Sequence, residues 1–339
     1  MPGAITNVDS SKKHEVELLK EVSRSFYLTL RVLPASVRTP IGLAYLLART
    51  SDTIADTQLV SVEKRLDALR ALRRRIAGTR DALLDFGNLA TGQSSRAEQT
   101  LLERCENSLD LLGSLDGADR DRVRKVLDII VGGQELDLQR FGAASPRQLV
   151  ALPTDADLDD YTYRVAGCVG EFWTVMCRAH VFPNAKLDDA LLMKQSVRFG
   201  KGLQLVNILR DLPADLRMGR CYLPEEKLMT TGLTPAALLS PDNATKLRPL
   251  YIAYLEQANE HLLTGWAYTN ALPRRSMRVR LACAWPVLIG LQTVKLLRTA
   301  NMLDPGQRIK ISRREVKQWM WRSVLYYPWP TAWRALAQR

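Results

Sequence analysis

Two pairs of aspartates with four-residue spacing are the side chains best suited to chemistry in this chain. Asp52 and Asp56 lie in the run TSDTIADT, and Asp211 and Asp215 lie in NILRDLPADLR. On a helix, residues i and i+4 share one face, so each pair brings together two carboxylates that repel unless a cation lies between them. Hard divalent cations such as Mg2+ take oxygen ligands and bridge carboxylates to phosphates. Two such faces turned toward each other would hold a diphosphate.

The surroundings of the first pair favour a cavity over a solvated surface. Aspartate pairs are common on exposed helices, but the run PIGLAYLLARTSDTIAD is too apolar to be one, so its acids are expected to face a cavity or a charged partner. Arg49 and Tyr45 precede Asp52 by three and seven residues, which places all three near one face. Arg49 either pairs with the aspartates or holds the diphosphate, because its planar fork matches phosphate oxygens.

The second pair continues a polar stripe that Arg210 flanks, made of Gln204, Asn207, Asp211 and Asp215. An amide oxygen such as that of Asn207 is an acceptable ligand for a hard cation. Pro213 lies between the aspartates, and proline lacks an N–H and clashes with the carbonyl four residues earlier, here that of Leu209. We therefore expect the helix to kink or end near Asp211. Asp211 is then the secure ligand, and Asp215 depends on how the chain bends.

Composition and pattern predict an all-α fold. The chain has 339 residues, 46% of them hydrophobic and 25% charged, with few alternating runs of the kind that strands show. We predict a single domain over 1–339, and a turn for GRCYLPEE at 219–226. Helices are predicted over 13–32, 38–57, 61–87, 96–114, 118–141, 186–212, 245–270 and 274–300, with a further one holding Tyr161 and Tyr163.

Cysteine usage and hydropathy predict a cytoplasmic protein. The five cysteines show no CxxC spacing, which argues against a disulfide framework or a zinc site and fits a reducing compartment. The N-terminus lacks the apolar region of a signal peptide. The run LACAWPVLIGLQTV is shorter than the about 20 residues that a membrane-spanning helix needs, so we predict a buried core helix there and no transmembrane segment.

The net charge of +12 is concentrated at the C-terminus. From Leu272 onward the chain has 14 Lys and Arg against two acids, together with five of its seven tryptophans. Basic residues among Trp and Tyr suit an anionic membrane surface, a phosphorylated ligand or nucleic acid. For the tail at about 305–339 two alternatives stay open: an amphipathic segment at the membrane interface, and a tail packed on its own domain.

Several ordered sequence blocks resemble the squalene/phytoene synthase family. They are SRSFYLTLRVLP at 23–34, ARTSDTIAD, YTYRVAGCVG at 161–170, GKGLQLVNILRDLPADLRMGRCYLP at 200–224 and the later ACAWPVLIG. The resemblance implies an isoprenoid-synthase helical bundle with a central cavity flanked by two aspartate-bearing helices. It also implies Mg2+-dependent head-to-head condensation of two prenyl diphosphates, here two molecules of farnesyl diphosphate.

The same resemblance assigns roles to individual residues. Asp52, Asp56, Asp211 and Asp215 would hold the metals, and Arg49 and Arg210 would face diphosphate. Tyr161 would assist a deprotonation, the alternative being a buried tyrosine that bonds helix ends. The substrate-lining residues would be Ser23, Phe26, Tyr45, Gln204 and Asn207, with an apolar tunnel along Val165, Ala166, Val169, Leu203, Val206 and Cys283.

The product depends on the basic segment GQRIKISRREVK, which resembles one associated with NADPH in squalene synthases. Lys310 and Arg313 would contact the NADPH phosphates, with Asn207 also at the cofactor; a membrane-facing or merely solvated stretch is the alternative. We expect the squalene synthase branch, in which presqualene diphosphate is reduced by NADPH to squalene. The alternatives are release of presqualene diphosphate, and proton loss to phytoene or dehydrosqualene.

Other functions fit the sequence less well. A non-catalytic, basic helical protein that binds membranes or nucleic acid would leave the two acidic helix faces unexplained. Head-to-tail prenyltransferases use a DDxxD motif, and this chain has DxxxD. We expect no nucleic-acid partner, a monomer or weak oligomer, and peripheral contact between the C-terminal tail and an anionic membrane at its inner face.

Overall fold

Leucine- and alanine-rich stretches fold as helices throughout the described part of the chain. This computed structural model describes residues 18–22, 26–79, 82–93, 95–307 and 309–338. Its regular structure there is nearly all helical, which confirms the all-α prediction. The earlier helices are residues 18–22, Phe26–Val32, Ala35–Asp56, Val62–Ala77, Asn88–Thr91, Arg96–Glu103, Cys105–Ser114 and Gly117–Phe141. The later ones are Asp155–Thr162, Cys168–His180, Asp189–Arg217, Glu225–Thr230, Ala244–Ala271, Met277–Thr299, Arg313–Tyr326 and Pro330–Arg334.

The chain divides into two compact units. The first unit comprises the described residues up to 138 together with 175–181, and the second comprises 139–174 together with the described residues from 182 onward. The single domain over 1–339 stays a prediction.

In the first unit, the helix Ala35–Asp56 carries the first aspartate pair, and we call it the first aspartate helix. It begins after Pro34 and ends at Thr57, whose backbone is extended. Leu46, Leu47 and Ile54 are at most 1% exposed, so most of this helix is fixed by apolar burial. The apolar run that predicted a non-solvated helix thus packs into the unit and brings Asp52 and Asp56 with it.

The helix that follows is shorter than predicted. We expected a helix over 61–87, but the structure has Val62–Ala77. Gly78 adopts a left-handed backbone with φ of 101°, and its N–H donates to the carbonyls of Arg74 and Arg75. Glycine accepts this conformation without steric cost, so it ends the helix although helix-forming residues continue beyond it.

In the second unit, the segment predicted only as a turn contains a short strand. Arg220–Cys221 pairs in parallel with Val150–Ala151, residue 150 opposite 220. Gly219 precedes it with φ of 83°, and a Cβ there would lie 2.5 Å from the Ser145 nitrogen. Only glycine fits this turn, so the pattern recognised the turn and missed the two-residue strand it leads into.

The helix Asp189–Arg217, the second aspartate helix, corrects the prediction made from Pro213. The helix does not end at Asp211; it continues through Pro213 to Arg217. The carbonyl that proline cannot bond is that of Leu209, and it instead accepts a hydrogen bond of 3.0 Å from the Tyr251 hydroxyl. Tyr251 is fully buried, so a hydroxyl from Ala244–Ala271 replaces the missing N–H. Asp215 therefore stays in helical register with Asp211.

A π-helical turn lies directly against the second aspartate helix. Residues Tyr163–Gly167 form this turn between Asp155–Thr162 and Cys168–His180. A Cβ on Gly200 would collide with the carbonyl oxygen of Ala166, and one on Gly170 would collide with that of Ser196. Because neither glycine has a Cβ, the two backbone segments can come into direct contact. π-Turns are frequent at functional sites, and this one follows Tyr161.

A long apolar helix, Met277–Thr299, lies in the core of the second unit. Among the described residues it is the one helix long and apolar enough to cross a membrane by length and composition. Most of it is buried against protein, including Leu281, Val287 and Leu291. The core position predicted for LACAWPVLIGLQTV agrees with this burial.

The C-terminal tail packs on the second unit. The Arg280 guanidinium lies 5.3 Å from the ring centroids of both Tyr327 and Trp333, a cation–π arrangement. Trp333 also stacks on Trp266 at 5.1 Å, and Trp285 donates a 3.0 Å hydrogen bond to Ser323. Of the two alternatives for the tail, packing on its own domain is therefore realised. One face of the helix Arg313–Tyr326 nevertheless remains outward.

Replacing Gly200 by alanine should destabilise the second unit. The added methyl group would meet the Ala166 carbonyl, and a clash with backbone is relieved only by moving a helix, at about 1–3 kcal/mol. Thermal or urea unfolding measures the change. Gly113→Ala is the control, since a Cβ at this helical glycine meets nothing within 4 Å and alanine is the better helix former. Equal stability of Gly200→Ala and wild type would contradict the close backbone approach.

Candidate functional site

The first aspartate helix holds Asp52 in a chain of polar contacts. Gln134, on the helix Gly117–Phe141, donates a hydrogen bond of 2.5 Å from Nε2 to Asp52 Oδ1. On the other side, Arg49 Nη1 lies 3.9 Å from Asp52 Oδ2. The same arginine donates to Glu98 Oε1 at 2.6 Å. Three side chains from three helices, Arg49, Glu98 and Gln134, therefore form a polar chain that holds the Asp52 carboxyl within the first unit.

The environment of Asp52 disfavours its negative charge. Desolvation by the surrounding protein and, second, repulsion from Asp56 raise the pKa of Asp52 from 3.8 to about 7, while Arg49 acts in the opposite direction. The side chain still keeps 38% of its area exposed. Water screens part of the repulsion, so only part of the corresponding destabilisation is expected. A cation bound between Asp52 and Asp56 would remove this destabilisation.

A small cavity opens beside the first aspartate pair. It has a volume of about 310 Å³ and is lined by Arg49, Thr53, Asp56, Thr57, Gln58, Leu59, Gly92, Gln93 and Glu98. The Thr53 hydroxyl in its wall is buried and has no hydrogen-bond partner within the described chain. A buried hydroxyl without a partner is costly, which indicates a cavity that takes a polar group.

Sequence reasoning missed Glu98 and Gln134. Glu98 lies in the helix predicted over 96–114 and Gln134 in the helix predicted over 118–141, and no motif marks either residue. Neither residue is near the aspartates in sequence, so spacing carries no signal for either. The contact with Glu98 places Arg49 between two acids, Asp52 and Glu98.

Three substrate-lining predictions concern the N-terminal part of the chain. Ser23 lies outside the described residues, as does the side chain of Phe26, whose backbone begins the helix Phe26–Val32. Tyr45 is described, and its hydroxyl donates to the Val22 carbonyl at 3.4 Å. Tyr45 thus contacts the segment that precedes Ser23. The first substrate site stays a prediction.

On the second aspartate helix, Arg210 pairs with the neighbouring Asp211. Its Nε and Nη2 donate to the two carboxylate oxygens at 2.9 and 2.5 Å. This bidentate bond, with a further contribution from the charge of Asp215, raises the pKa of Arg210. The arrangement brings Arg210, Asp211 and Asp215 together as predicted from their spacing. An orientation of Arg210 toward diphosphate stays a prediction.

Tyr161 is joined to this helix by a short polar chain. Gln204 Nε2 lies 3.5 Å from the Tyr161 hydroxyl, and Asn207 donates to Gln204 Oε1 at 3.4 Å. The tyrosine ring stacks on Tyr222 at 4.6 Å, with 28° between the planes. Tyr222, missed from sequence, follows the short strand Arg220–Cys221 and thereby orients Tyr161. Three residues predicted separately are thus adjacent.

Two of the predicted tunnel residues lie on different helical elements of the second unit. Val165 lies in the π-turn, half-buried, and Cys283 lies in Met277–Thr299 with 3% of its area exposed. Burial raises the pKa of the Cys283 thiol to about 12, so it acts as an apolar side chain. Their lining role stays a prediction.

The residues predicted for NADPH separate into two places. Arg313 lines an open surface groove of about 480 Å³ together with Arg314, Lys317, Gln318, Trp321 and Arg322. Lys310 is exposed but does not line this groove, and Asn207 lies with Gln204 on the second aspartate helix. Their joint role at one cofactor therefore stays a prediction.

The donor sets of both aspartate helices fit a hard divalent cation. Each presents two carboxylates with helical spacing, and Asn207 adds an amide to the second. Within the ranges described, the structure contains no group of three or more His, Cys, Asp or Glu placed to hold a metal ion. The carboxylates of one helix therefore do not form a complete protein cage.

The fold resembles that of solved isoprenoid synthases. The complex of TcSQS with the ligand E5700 superposes with a TM-score of 0.76 at 21% sequence identity, covering 93% of this chain and 86% of that chain. The class is therefore an all-α protein of the isoprenoid-synthase type, as the resemblance implied. At this identity the likeness concerns the fold alone.

The sequence matches place the chain in one family. The model of the squalene/phytoene synthase family matches residues 19–315, and the chain belongs to this family. The presqualene diphosphate synthase of Zymomonas mobilis is 30% identical over 232 residues, which are 68% of this chain and 66% of that protein. The squalene synthase of Schizosaccharomyces pombe is 24% identical over 313 residues, covering 91% and 64%. The chain spans 41% and 32% of the bifunctional lycopene cyclase/phytoene synthases of Arthroderma gypseum and Blakeslea trispora.

Replacing Asp52 by asparagine should stabilise the protein at pH 8 in buffer free of divalent cations. The folded-state pKa of about 7 lies above the ordinary 3.8, so the wild type loses stability as pH rises through this interval. Asn cannot ionise and still accepts from Gln134, so the variant avoids the loss. After screening we expect a gain of about 1 kcal/mol at pH 8 that vanishes toward pH 4. Urea unfolding across this range measures it.

Asp67→Asn is the matched control for this comparison. Asp67 lies in Val62–Ala77 of the same unit, and its side chain is 77% exposed. Its replacement should give no gain that depends on pH. Identical stability curves for wild type and Asp52→Asn would show that Asp52 is not held as a destabilised carboxylate.

Proposed function

We propose that this chain is a squalene synthase-type prenyltransferase. It would join two farnesyl diphosphates head to head into presqualene diphosphate and then reduce this intermediate with NADPH to squalene. The observation that carries the proposal is the first aspartate pair: the Asp52 carboxylate is disfavoured beside Asp56, and Asp56 lines a polar cavity together with Arg49. Family membership gives the reaction class; the substrate and the product are inferences.

The first step is ionisation of one farnesyl diphosphate. The bond between C1 and the diphosphate oxygen breaks, and its electron pair leaves with the diphosphate. When bound, Mg2+ supplies Lewis-acid stabilisation of that leaving group. Arg49 and Arg210 are each held by acids and present fixed positive charge, which stabilises a departing anion without reorganisation. Asp52, Asp56, Asp211 and Asp215 provide the carboxylates on which Mg2+ would be held.

The second step is attack by the other prenyl chain and loss of one proton to close the cyclopropane ring. Tyr161 is the candidate group for this proton. Gln204 and the stacked Tyr222 hold its hydroxyl in place, which supports a role in passing this proton to the released diphosphate. The apolar residues Val165 and Cys283 would help to exclude water from the allylic cation.

The fate of presqualene diphosphate separates two candidates. Reduction to squalene is supported by the basic residues Lys310 and Arg313, which would contact the NADPH phosphates. Release of presqualene diphosphate is supported by the 30% identity with the Zymomonas mobilis enzyme of that name. Proton loss to a phytoene-type product is the third outcome. Five buried, free cysteines support a cytoplasmic location.

Purified protein supplied with farnesyl diphosphate and Mg2+ should release diphosphate and form presqualene diphosphate, and squalene only when NADPH is added. Product analysis with and without NADPH and with EDTA tests each part. Asp52→Asn should lower turnover at least about 100-fold, because one charge of the metal site is lost. Asp67→Asn is the control. Product independent of NADPH would contradict the squalene assignment, and wild-type turnover in Asp52→Asn would contradict the metal assignment.

Tyr161→Phe should lower kcat by roughly 100-fold while leaving KM for farnesyl diphosphate nearly unchanged, because only the proton transfer loses its hydroxyl. Steady-state kinetics with product analysis measures both constants. Tyr163→Phe is the matched control two residues away, since the Tyr163 hydroxyl donates to Glu171 at 3.1 Å. An unchanged kcat in Tyr161→Phe would assign this residue a structural role.

A further inference from the structure

Arg49 is a cation on the same helix as the first aspartate pair. It precedes Asp52 by three residues, and at this spacing an arginine can reach the carboxylate and pair with it. Such a pair would neutralise negative charge that a metal ion needs. The side chain nevertheless turns elsewhere. Arg49 Nη1 lies 3.9 Å from Asp52 Oδ2, beyond a hydrogen bond, whereas Arg49 Nη2 donates to Glu98 Oε1 at 2.6 Å.

The second aspartate helix shows the opposite arrangement. Arg210 donates two hydrogen bonds, of 2.9 and 2.5 Å, to the carboxylate of Asp211. This bidentate bond compensates one carboxylate with a charge from its own helix. The comparison indicates that Glu98, an acid on a separate helix, determines where the arginine of the first helix points.

Glu98 reaches Arg49 from the helix Arg96–Glu103, which packs against the first aspartate helix. The Glu98 and Arg49 side chains are 25% and 28% exposed, so water screens this ion pair less than it screens a fully exposed one. Both residues line the cavity of about 310 Å³ that Asp56 also lines. The ion pair therefore lies beside the first aspartate pair.

Among the described partners of Asp52, the closest one is uncharged. Gln134 Nε2 donates to Asp52 Oδ1 at 2.5 Å, while the charged Arg49 stays 3.9 Å from Oδ2. A hydrogen bond from a neutral amide orients a carboxylate without cancelling its charge. Gln134 thus orients Asp52, and Glu98 draws away the cation that would neutralise it.

We propose that Glu98 is a positioning residue for the metal site on the first aspartate helix. By holding Arg49 away from Asp52, it preserves the negative charge that binds a divalent cation. The proposal rests on the metal role proposed above for Asp52 and Asp56. Without Glu98, Arg49 would pair with Asp52 as the arginine of the second helix pairs with its neighbour, and a cation would have to displace it. If Glu98 only joined two helices, its effect on metal affinity would not depend on Arg49.

The test measures Mn2+ binding to the full chain at pH 8 without substrate. Mn2+ prefers the same oxygen ligands as Mg2+, and electron paramagnetic resonance measures the free ion. Sites that are lost in Asp52→Asn belong to the first aspartate helix. Glu98→Ala should weaken binding at these sites about fivefold, the size expected for one partly exposed charge pair. Glu98→Gln, which keeps an uncharged acceptor for Arg49, should weaken it less.

An Arg49→Gln background separates the two ways in which Glu98 could act. There Glu98→Ala should change Mn2+ affinity by at most about twofold, because no arginine remains to pair with Asp52. Equal weakening in both backgrounds, or by both Glu98 variants, would show that Glu98 acts through its own charge and would overturn the proposal. Unchanged affinity in Glu98→Ala would overturn it as well. If Glu98→Ala does not fold, Glu98→Gln carries the comparison between the backgrounds.

Glu106→Ala is the matched control. Glu106 pairs with Arg75 at 2.5 Å in the same unit, and its side chain is 21% exposed. Its replacement removes a similar ion pair and should leave Mn2+ affinity unchanged; equal weakening would contradict a specific role of Glu98. Absence of saturable Mn2+ binding by the wild type would overturn this proposal together with the metal assignment. Mn2+ binding as expected in a chain that forms no presqualene diphosphate would contradict only the proposed reaction.

Discussion

Repulsion between carboxylates that the fold holds close together is the constraint on which the candidate site depends. On the first aspartate helix, Leu46, Leu47 and Ile54 anchor the chain in the core, and this burial carries Asp52 and Asp56 into a partly desolvated position. The free energy gained by burying this helix therefore stabilises a fold in which two carboxylates repel each other. Such a site gains most from a ligand that brings positive charge.

On the second aspartate helix, Arg210 partly compensates the negative charge of the aspartate pair. The Asp211 carboxylate accepts hydrogen bonds from Nε and Nη2 of Arg210, so one negative charge is compensated without a bound cation. In the first helix, by contrast, Arg49 lies 3.9 Å from Asp52 and bonds Glu98 more closely. The two aspartate pairs are alike in sequence spacing and unlike in electrostatics. A cation is therefore expected to have different affinities at the two faces.

The sequence allowed the helices, the aspartate pairs and the family to be predicted, because these depend on local periodicity and on residue spacing. It did not allow Glu98, Gln134 or Tyr222 to be found, because each acts through a contact between elements distant in the chain. The end of the helix at Gly78 and its continuation through Pro213 show the same limit. The left-handed backbone of Gly78 ends a helix that the residue pattern would continue. The Tyr251 hydroxyl bonds the carbonyl that Pro213 leaves unpaired, so the helix continues where proline predicts an end.

The hydrogen bond from Tyr251 to the Leu209 carbonyl has a consequence for the mechanics of the second aspartate helix. Without it, Pro213 would act as a hinge, and the distance between Asp211 and Asp215 would vary with ligand. With the helix continuous, their Cα atoms are fixed about 6 Å apart along the axis. The ligand spacing is then set during folding. Any cation bound there would therefore meet two carboxylates whose backbone positions were already fixed relative to each other.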